Sequence, residues 1–212
     1  MTKYRYNPPA IVKKIFSEFY WQTTNNKILL TFDDGPNPGT TEKILEQLSP
    51  LNIKALHFCI GTNLKKHPGL TNELISEGQT IGNHTLNHKY LTRISKDEVK
   101  SEIEQVNLIL ANDFNYNVKH IRPPYGRFNL SVRKWMNKTN LKVVMWNLVT
   151  YDYKYDLKKV KFAVDNYLQN NSIIVFHDSD KTKDIIIDSI KYIADAAAEH
   201  GFKFGDPEEC LK

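Results

Sequence analysis

Residues 27–36 read Lys-Ile-Leu-Leu-Thr-Phe-Asp-Asp-Gly-Pro, and the rest of the chain is organised around this stretch. The apolar run at residues 27–32 predicts a buried strand, and Gly-Pro-Asn-Pro-Gly at residues 35–39 predicts a sharp turn after it. Between them lie Asp33 and Asp34, adjacent carboxylates that repel each other unless positive charge lies beside them. A metal ion and an arginine are the two groups that would supply such charge. The alternative is a turn alone, because Asp-Asp-Gly-Pro is also favourable turn chemistry.

Strands and helices are predicted to alternate along the chain. Further apolar runs predict strands at residues 54–60, 80–83, 118–122, 141–146, 172–176 and 202–204. Helical patterns predict helices at residues 10–19, 40–48, 68–77, 129–137 and 157–168. A further helix is predicted to begin at a capping box formed by Ser95 and Glu98, and the last long helix to run from a cap at Asp180 to His200. This order indicates an α/β fold with a parallel sheet, and the strands are apolar throughout, so both faces of the sheet are covered. A closed (β/α) barrel and an open doubly wound sheet both fit. The absence of Gly-x-Gly-x-x-Gly after any strand argues against dinucleotide binding.

Composition indicates one globular domain. The 212 residues are 41% hydrophobic and 25% charged, which suits a single domain over residues 1–212 with an N-terminal extension, residues 1–26, packed on it. The net charge of +5 is compatible with an anionic polymer such as a cell-wall glycan, a nucleic acid or a phospholipid surface. Lysines and arginines are interleaved with acids rather than clustered, so no nucleic-acid partner is expected.

Cysteine usage and the first residues bear on location. Cys59 and Cys210 form no paired framework, which argues against a disulfide-stapled secreted module. The sequence shows no signal peptide and no apolar run long enough to cross a bilayer. We therefore expect a cytoplasmic protein without a membrane span, or an extracytoplasmic one if a leader is missing from the sequence shown, and a monomer.

Unusual polar groups recur at the carboxyl ends of the predicted strands. They are Asp33 and Asp34 after the first strand, His84 and His88 after the third, Arg122 at the end of the fourth, Asp152 after the fifth, and His177 at the end of the sixth. In a parallel barrel these ends share one face, which is where active sites are built. So many coincidences favour a functional site over turn chemistry.

The spacing of His84 and His88 brings both imidazoles to one side of a tight loop or helical turn. With a nearby carboxylate they make a two-histidine, one-carboxylate set, which leaves positions open for water and substrate. Such a set suits Zn²⁺ best, and Co²⁺, Ni²⁺, Mn²⁺ and Fe²⁺ are alternatives. For the histidines at 57, 67, 120 and 200 a structural role is expected.

These motifs resemble the polysaccharide deacetylases, the nodulation-protein-B-like domain of carbohydrate esterase family four. The resemblance covers residues 27–204, and its five motifs fall at residues 31–36, 84–88, 122–125, 152–153 and 175–177. It implies a distorted (β/α) barrel with about seven parallel strands and the active site at their C-terminal ends. It also implies metal-dependent removal of acetyl groups from N-acetylated sugars, such as N-acetylglucosamine in chitin oligomers or peptidoglycan.

The resemblance assigns roles to matching positions. Asp34, His84 and His88 would hold the metal, and Asp33 would be the general base toward the attacking water, paired with Arg122. The backbone N–H of Tyr125 would stabilise the oxyanion, and His177, oriented by Asp152, would protonate the leaving amine. The substrate pocket would be formed by Tyr153, Trp146, Val175 and Pro123.

Two departures and two alternatives stay open at this point. Val149 stands where the family usually has an aspartate, and Tyr153 where it usually has a tryptophan, which bears on pocket shape and substrate. An esterase removing O-acetyl groups from xylan or another glycan needs nearly the same residues. A non-catalytic carbohydrate-binding domain would be expected to lack at least one of them, and none is missing.

Overall fold

The computed structural model describes residues 5–136 and 138–212. Seven parallel strands form one curled sheet in the order β5-β4-β3-β2-β1-β7-β6. The strands are β1 Leu29–Asp33, β2 Leu56–Cys59, β3 Thr80–Asn83, β4 His120–Ile121, β5 Lys142–Val143, β6 Leu148–Val149 and β7 Ile173–His177. Within the described residues no ladder joins β5 to β6, so the sheet is a half-barrel with two edges. The predicted distorted barrel of about seven parallel strands is therefore confirmed, and the open doubly wound sheet is not.

The helices are α1 Ala10–Ile15, α2 Thr41–Leu48, α3 Gly61–Lys66, α4 Pro68–Ser76, α5 Lys96–Phe114, α6 Leu130–Met136, α7 Leu157–Tyr167, α8 Ile186–Glu199 and α9 Pro207–Cys210, with 3₁₀ turns at Leu91–Arg93, Pro124–Gly126 and Asp152–Lys154. Helices such as α2, α7 and α8 cover the outside of the sheet, whereas Cys210 of α9 packs in the interior cluster with Leu29 and Phe58. The predicted capping box opens α5: Ser95 Oγ accepts from the Glu98 N–H at 3.2 Å, and the Glu98 carboxylate accepts from the Ser95 N–H at 2.9 Å. Within the described residues no helix has the length and apolarity to span a membrane.

The two faces of the central strands bury different clusters. Phe32 on β1 and Phe176 on β7 face outward into a core shared with α2, α7 and α8. Leu29 on β1 and Phe58 on β2 face the interior of the half-barrel. All four are fully buried, each worth about 1.5–3 kcal/mol relative to exposure. The period-two alternation of β1 puts Thr31 and Asp33 on the interior face as well.

The N-terminal segment bonds to both free edges of the sheet. The Tyr20 N–H donates to the Val143 carbonyl at 2.9 Å, and the Tyr20 carbonyl accepts from the Met145 N–H at 2.8 Å. On the other edge the Tyr6 carbonyl accepts from the Val149 N–H at 2.9 Å. One stretch of chain thus reaches β5 and β6.

Several predicted elements are wrong in detail. The strand predicted at 141–146 is shortened to β5, and β6 follows it as a separate strand that was not predicted. The chain changes neighbour at Asn147, which turns to β7: its N–H donates to the Ile173 carbonyl at 3.3 Å and its Oδ1 accepts from the Ile173 N–H at 2.9 Å. Asp152 consequently follows β6. The strand predicted at 202–204 is reduced to one bridge between Ile28 and Phe204.

Helix boundaries differ for local reasons. Asp180 does not cap α8, which begins at Ile186. Instead the Thr182 hydroxyl lies within hydrogen-bonding distance of the carbonyls of His177 and Ser179, at 2.7 and 2.9 Å, and donates to them. This stabilises the turns that precede the helix. The first helix ends at Ile15 rather than at residue 19, α3 was not predicted, and position 137, the predicted end of α6, lies outside the described residues.

Candidate active site

Asp34, His84 and His88 converge at the carboxyl ends of β1 and β3. Their ligand atoms all lie within 4.8 Å of one another. Asp34 Oδ1 is 3.6 Å from His84 Nε2 and 3.3 Å from His88 Nε2. Asp34 has a φ of 79° and His88 a φ of 55°, so both occupy left-handed backbone conformations that tight turns produce after the strands.

The chemistry of this donor set fits a divalent metal ion. His84 Nδ1 lies 2.8 Å from the Arg122 carbonyl, to which it donates, and this leaves the Nε2 lone pair facing Asp34. Asp34 Oδ1 is buried and accepts no hydrogen bond from the described residues. Burial and then the neighbouring His84 lower the pKa of His88 to about 4, so this imidazole is neutral at physiological pH. A buried, unpartnered carboxylate oxygen facing two imidazole nitrogens is an arrangement that a cation completes.

Asp33 forms a buried ion pair with Arg122. Arg122 Nη1 donates to Asp33 Oδ1 at 2.7 Å and to Thr31 Oγ1 at 2.7 Å, while Nε and Nη2 donate to the carbonyls of Val144 and Met145 at 2.9 and 2.8 Å. Burial is the largest single influence on Asp33 and opposes its ionisation, but the Arg122 charge and hydrogen bond together with the charges of His84 and His177 outweigh burial, so the pKa of Asp33 lies below its ordinary value. Asp33 is therefore a carboxylate whose second oxygen, Oδ2, lies 4.0 Å from His84 Nε2.

His177 at the end of β7 is held by Asp152. The ring nitrogen Nδ1 lies 2.7 Å from Asp152 Oδ1, and the His177 backbone N–H donates to Asp152 Oδ2 at 2.7 Å. Asp152 is fully buried, whereas the His177 side chain keeps 16% exposure. Burial opposes the charged imidazole, but the charge and hydrogen bond of Asp152, helped by the charges of Asp34 and Asp33, outweigh burial and raise the pKa of His177 to about 9. A protonated imidazole with Nε2 unused by Asp152 follows from this geometry.

The remaining predicted residues line the same end of the half-barrel. The Tyr153 ring meets His177 edge-on at 4.8 Å between centroids, and Val175 lies two residues before His177 on the interior face, paired with Thr31. Trp146 packs so closely on Gly126 that a Cβ there would lie 2.2 Å from the indole. Pro123 is buried, and Tyr125 has a φ of 59° and is 50% exposed. The structure thus brings all twelve predicted site residues to one face.

Asp178 is a residue for which the sequence predicted no role. It is 1% exposed, its Oδ2 accepts from Thr41 Oγ1 at 2.6 Å, and its backbone N–H donates to the Asp33 carbonyl at 2.7 Å. Burial raises the pKa of Asp178 to about 8, so the acid is mostly protonated at neutral pH. It lies under Gly35, where a Cβ would be 2.3 Å from Oδ2. The only sequence signal was its position after His177.

Comparison with known proteins places the chain in a family. The family described as polysaccharide deacetylase matches residues 21–144. The chain is 36% identical over 149 residues to a peptidoglycan-N-acetylglucosamine deacetylase of Bacillus cereus, covering 70% of this chain and 54% of that one. It is 32% identical over 156 residues to a chitooligosaccharide deacetylase of Rhizobium leguminosarum, covering 73% and 72%. This chain belongs to the polysaccharide deacetylase family, as its motifs indicated.

The similarity extends to solved structures. A peptidoglycan N-acetylglucosamine deacetylase in complex with 4-naphthalen-1-yl-N-oxidanyl-benzamide superposes with a TM-score of 0.88 at 28% identity, over 96% of both chains. The chain spans only about half of the Bacillus cereus relative, 54% of its length, and 35% of a relative from Listeria monocytogenes.

Proposed function

We propose that this chain is a metal-dependent deacetylase that removes N-acetyl groups from glycans containing N-acetylglucosamine, of the chitin-oligomer or peptidoglycan type. The observation that carries the proposal is the juxtaposition of three units on one face. These are the Asp34, His84 and His88 ligand set, the buried Asp33–Arg122 pair, and the His177–Asp152 pair. Membership of the family and its named relatives support the same activity.

Asp34, His84 and His88 would hold the cation, with Zn²⁺ favoured by the mixed nitrogen and oxygen donors. When bound, the metal supplies Lewis acidity, which polarises the amide carbonyl and makes a water molecule more acidic. The low pKa of His88 and the tautomer fixed by Arg122 on His84 keep both imidazoles in the form that binds metal.

Asp33 acts as the general base. Arg122 occupies Oδ1 and keeps the carboxylate ionised, so Oδ2, which lies toward the ligand set, is left to accept the proton of the attacking water. The same ion pair fixes the direction of the carboxylate, because the guanidinium is held by the carbonyls of Val144 and Met145 as well.

His177 acts as the general acid, and this favours an amide over an ester as substrate. An amine leaves an amide only after it has been protonated, whereas an alkoxide leaves an ester more readily. With a pKa of about 9, His177 carries that proton throughout the neutral range. The backbone N–H of Tyr125 would donate to the developing oxyanion, and Tyr153, Trp146, Val175 and Pro123 would surround the acetyl group.

A substrate panel tests the proposal. The purified chain loaded with Zn²⁺ is incubated with N-acetylglucosamine oligomers, peptidoglycan fragments and acetylated xylan, and released acetate and new free amines are measured. We expect the N-acetylglucosamine oligomers and the peptidoglycan fragments to release acetate together with an equal amount of free amine. Exhaustive chelation should abolish this release, and added Zn²⁺ should restore it. Acetate from xylan alone would show an O-acetyl esterase, binding without acetate would show a carbohydrate-binding domain, and full activity after chelation would exclude the metal site.

The monomeric state and the cytoplasmic location stay predictions, which light scattering and cell fractionation would test.

A further inference from the structure

We propose that Tyr90, Tyr125, Arg93 and Arg127 form a second subsite, which binds a carboxylate-bearing sugar next to the sugar that is deacetylated. This inference rests on the proposed function and names the substrate class more closely. We call these four residues the Tyr–Arg platform.

The platform begins at the candidate metal ligands. The Tyr125 ring lies 4.5 Å from the His88 ring, between centroids, and Tyr90 stacks on Tyr125 at 3.9 Å with an interplanar angle of 8°. Tyr125 is 50% exposed. The two rings therefore lie parallel and face to face, and their exposed parts continue outward from the site as an aromatic surface, of the amphipathic kind that suits a sugar ring.

Two arginines converge on the same tyrosine. The guanidinium carbon of Arg93 lies 4.7 Å from the centre of the Tyr90 ring, and that of Arg127 lies 5.6 Å from it. Both side chains are exposed, and neither forms an ion pair with any acid in the described parts of the chain. Two cations that share one ring repel each other, and an anion bound between them relieves that repulsion.

The backbone fixes both arginines beside the tyrosines. The Arg93 N–H donates to the Tyr90 carbonyl at 2.9 Å, which closes one turn, and the Arg127 N–H donates to the Pro124 carbonyl at 3.1 Å, which closes the other. Leu91, 2% exposed, anchors the first turn in the core. The two guanidinium groups are therefore presented by short, hydrogen-bonded turns rather than by long loops, which reduces the ordering entropy of binding.

The chemistry of the platform selects a carboxylate. Guanidinium groups present planar N–H forks that match a carboxylate bidentately, and Arg has no acceptor for a neutral hydroxyl to donate to. A glycan of uncharged N-acetylglucosamine would offer the arginines only hydroxyl and amide oxygens, which accept single hydrogen bonds that are weaker than a bidentate carboxylate pair. A glycan in which every second sugar carries a carboxylate, on an ether side chain or on an attached peptide, would use the rings and the arginines together.

The test compares one enzyme on matched substrates. Steady-state rates are measured with three oligomers of equal length: neutral N-acetylglucosamine, a peptidoglycan-type oligomer with free ether-linked carboxylates, and the same oligomer with those carboxylates converted to methyl amides. A fourth carries its carboxylate only on an attached peptide, which separates the two sources. The variant is Arg93→Gln/Arg127→Gln, and the control is Lys158→Gln/Lys191→Gln, two exposed lysines on α7 and α8 that remove the same charge elsewhere.

For the variant we expect kcat/KM on the carboxylate oligomer to fall about tenfold more than on the neutral and amidated oligomers, chiefly through KM. Salt should weaken binding of the carboxylate oligomer to the wild type more than to the variant. The control should match the wild type on all substrates. Equal losses on charged and neutral oligomers would show a structural role, and no loss would show a surface cation–π contact only; either result overturns the inference.

Failure of the proposed function can be told apart from failure of this inference. If the metal-loaded wild type deacetylates no oligomer, calorimetric affinities for the carboxylate and amidated oligomers decide the question. A preference for the carboxylate that disappears in the double variant would support the subsite, and equal affinities would overturn it.

Discussion

Replacement of Asp152 by asparagine tests the proposed proton donor, His177, separately from the metal site. The change removes the charge that raises the pKa of His177, and it keeps the size of the side chain. The Asp152 carboxylate accepts hydrogen bonds from the His177 ring, the His177 N–H and the Tyr153 N–H. In the variant one of its oxygens becomes an N–H₂ group, which would face one of these donors and could not accept from it. We therefore expect both the pH dependence and the stability of the protein to change.

The size of the effect follows from the pKa of His177, which is about 9 in place of the ordinary 6.5. At pH ~8 an imidazole with a pKa of ~9 is about 90% protonated, and one at ~6.5 is about 3% protonated. Turnover at that pH should fall about 30-fold or more, because burial pushes the pKa lower once the carboxylate is gone. The difference between the two enzymes should shrink as pH falls toward the lowered pKa of His177 in the variant, because the imidazole then becomes charged in both.

Stability should change in the opposite pH range. A group whose pKa is raised on folding stabilises the folded state below its unfolded pKa and loses this effect as pH rises through the folded value. The difference in free energy of unfolding between wild type and Asp152→Asn should therefore be largest below about pH 6.5 and should decline as pH approaches about 9. Urea unfolding of the metal-free proteins at several pH values measures it.

The assay is the pH profile of kcat/KM on an N-acetylglucosamine oligomer. In Asp152→Asn the alkaline limb should move to lower pH by about two units or more. His177→Ala is the control: it should retain its metal, lose about two to four orders of magnitude in rate, and show no further shift when Asp152→Asn is added. An alkaline limb that stays in place in Asp152→Asn would refute the assignment of His177 as the acid, and loss of metal from His177→Ala would make it a ligand.

Four further substitutions, one of them with a matched control, test the rest of the site. Asp33→Asn should bind Zn²⁺ normally by calorimetry and lose nearly all turnover, whereas Asp34→Asn should lose Zn²⁺; the reverse pattern would exchange their roles. Arg122→Ala should lower the free energy of unfolding by about 3–5 kcal/mol in urea, because it leaves the buried Asp33 carboxylate and the carbonyls of Val144 and Met145 without their partner. A decrease of less than about 1 kcal/mol would contradict a stabilising buried pair. Gly35→Ala should weaken Zn²⁺ binding, because its Cβ would lie 2.3 Å from Asp178 Oδ2 and the loop that carries Asp34 would have to shift. The control Gly69→Ala, whose Cβ meets nothing within 4 Å, should bind Zn²⁺ normally.

The strand-end residues were predictable because strong apolar runs mark where each strand stops. A run such as residues 27–32 is buried on both faces, so its sequence alone places Asp33 and Asp34 at its end. The break between β5 and β6 was not predictable in this way. At Asn147 the chain stops pairing beside β4 and starts pairing beside β7, because Asn147 bonds to Ile173. That partner is known only once the sheet has curled.

Contacts between side chains that lie far apart in the sequence could not be predicted from the sequence either. Tyr90 and Tyr125 carry no motif that joins them, and their stacking depends on how two turns meet over the end of the sheet. Asp178 reads as an ordinary polar residue after a strand, and only the fold places it beneath Gly35. The capping role expected of Asp180 was lost to a nearer hydroxyl, that of Thr182.

The bonds from Tyr6 and Tyr20 to the two sheet edges bear on strand pairing between molecules. An edge strand with free N–H and C=O groups recruits strands from other molecules, and here one short segment occupies groups on both edges at once. That segment lies before residue 21, where the family match begins. A chain trimmed to start at residue 21 would keep every candidate catalytic side chain and still expose β5 and β6. Its first defect would be oligomers and fibrils that grow through those edges, rather than a slower reaction.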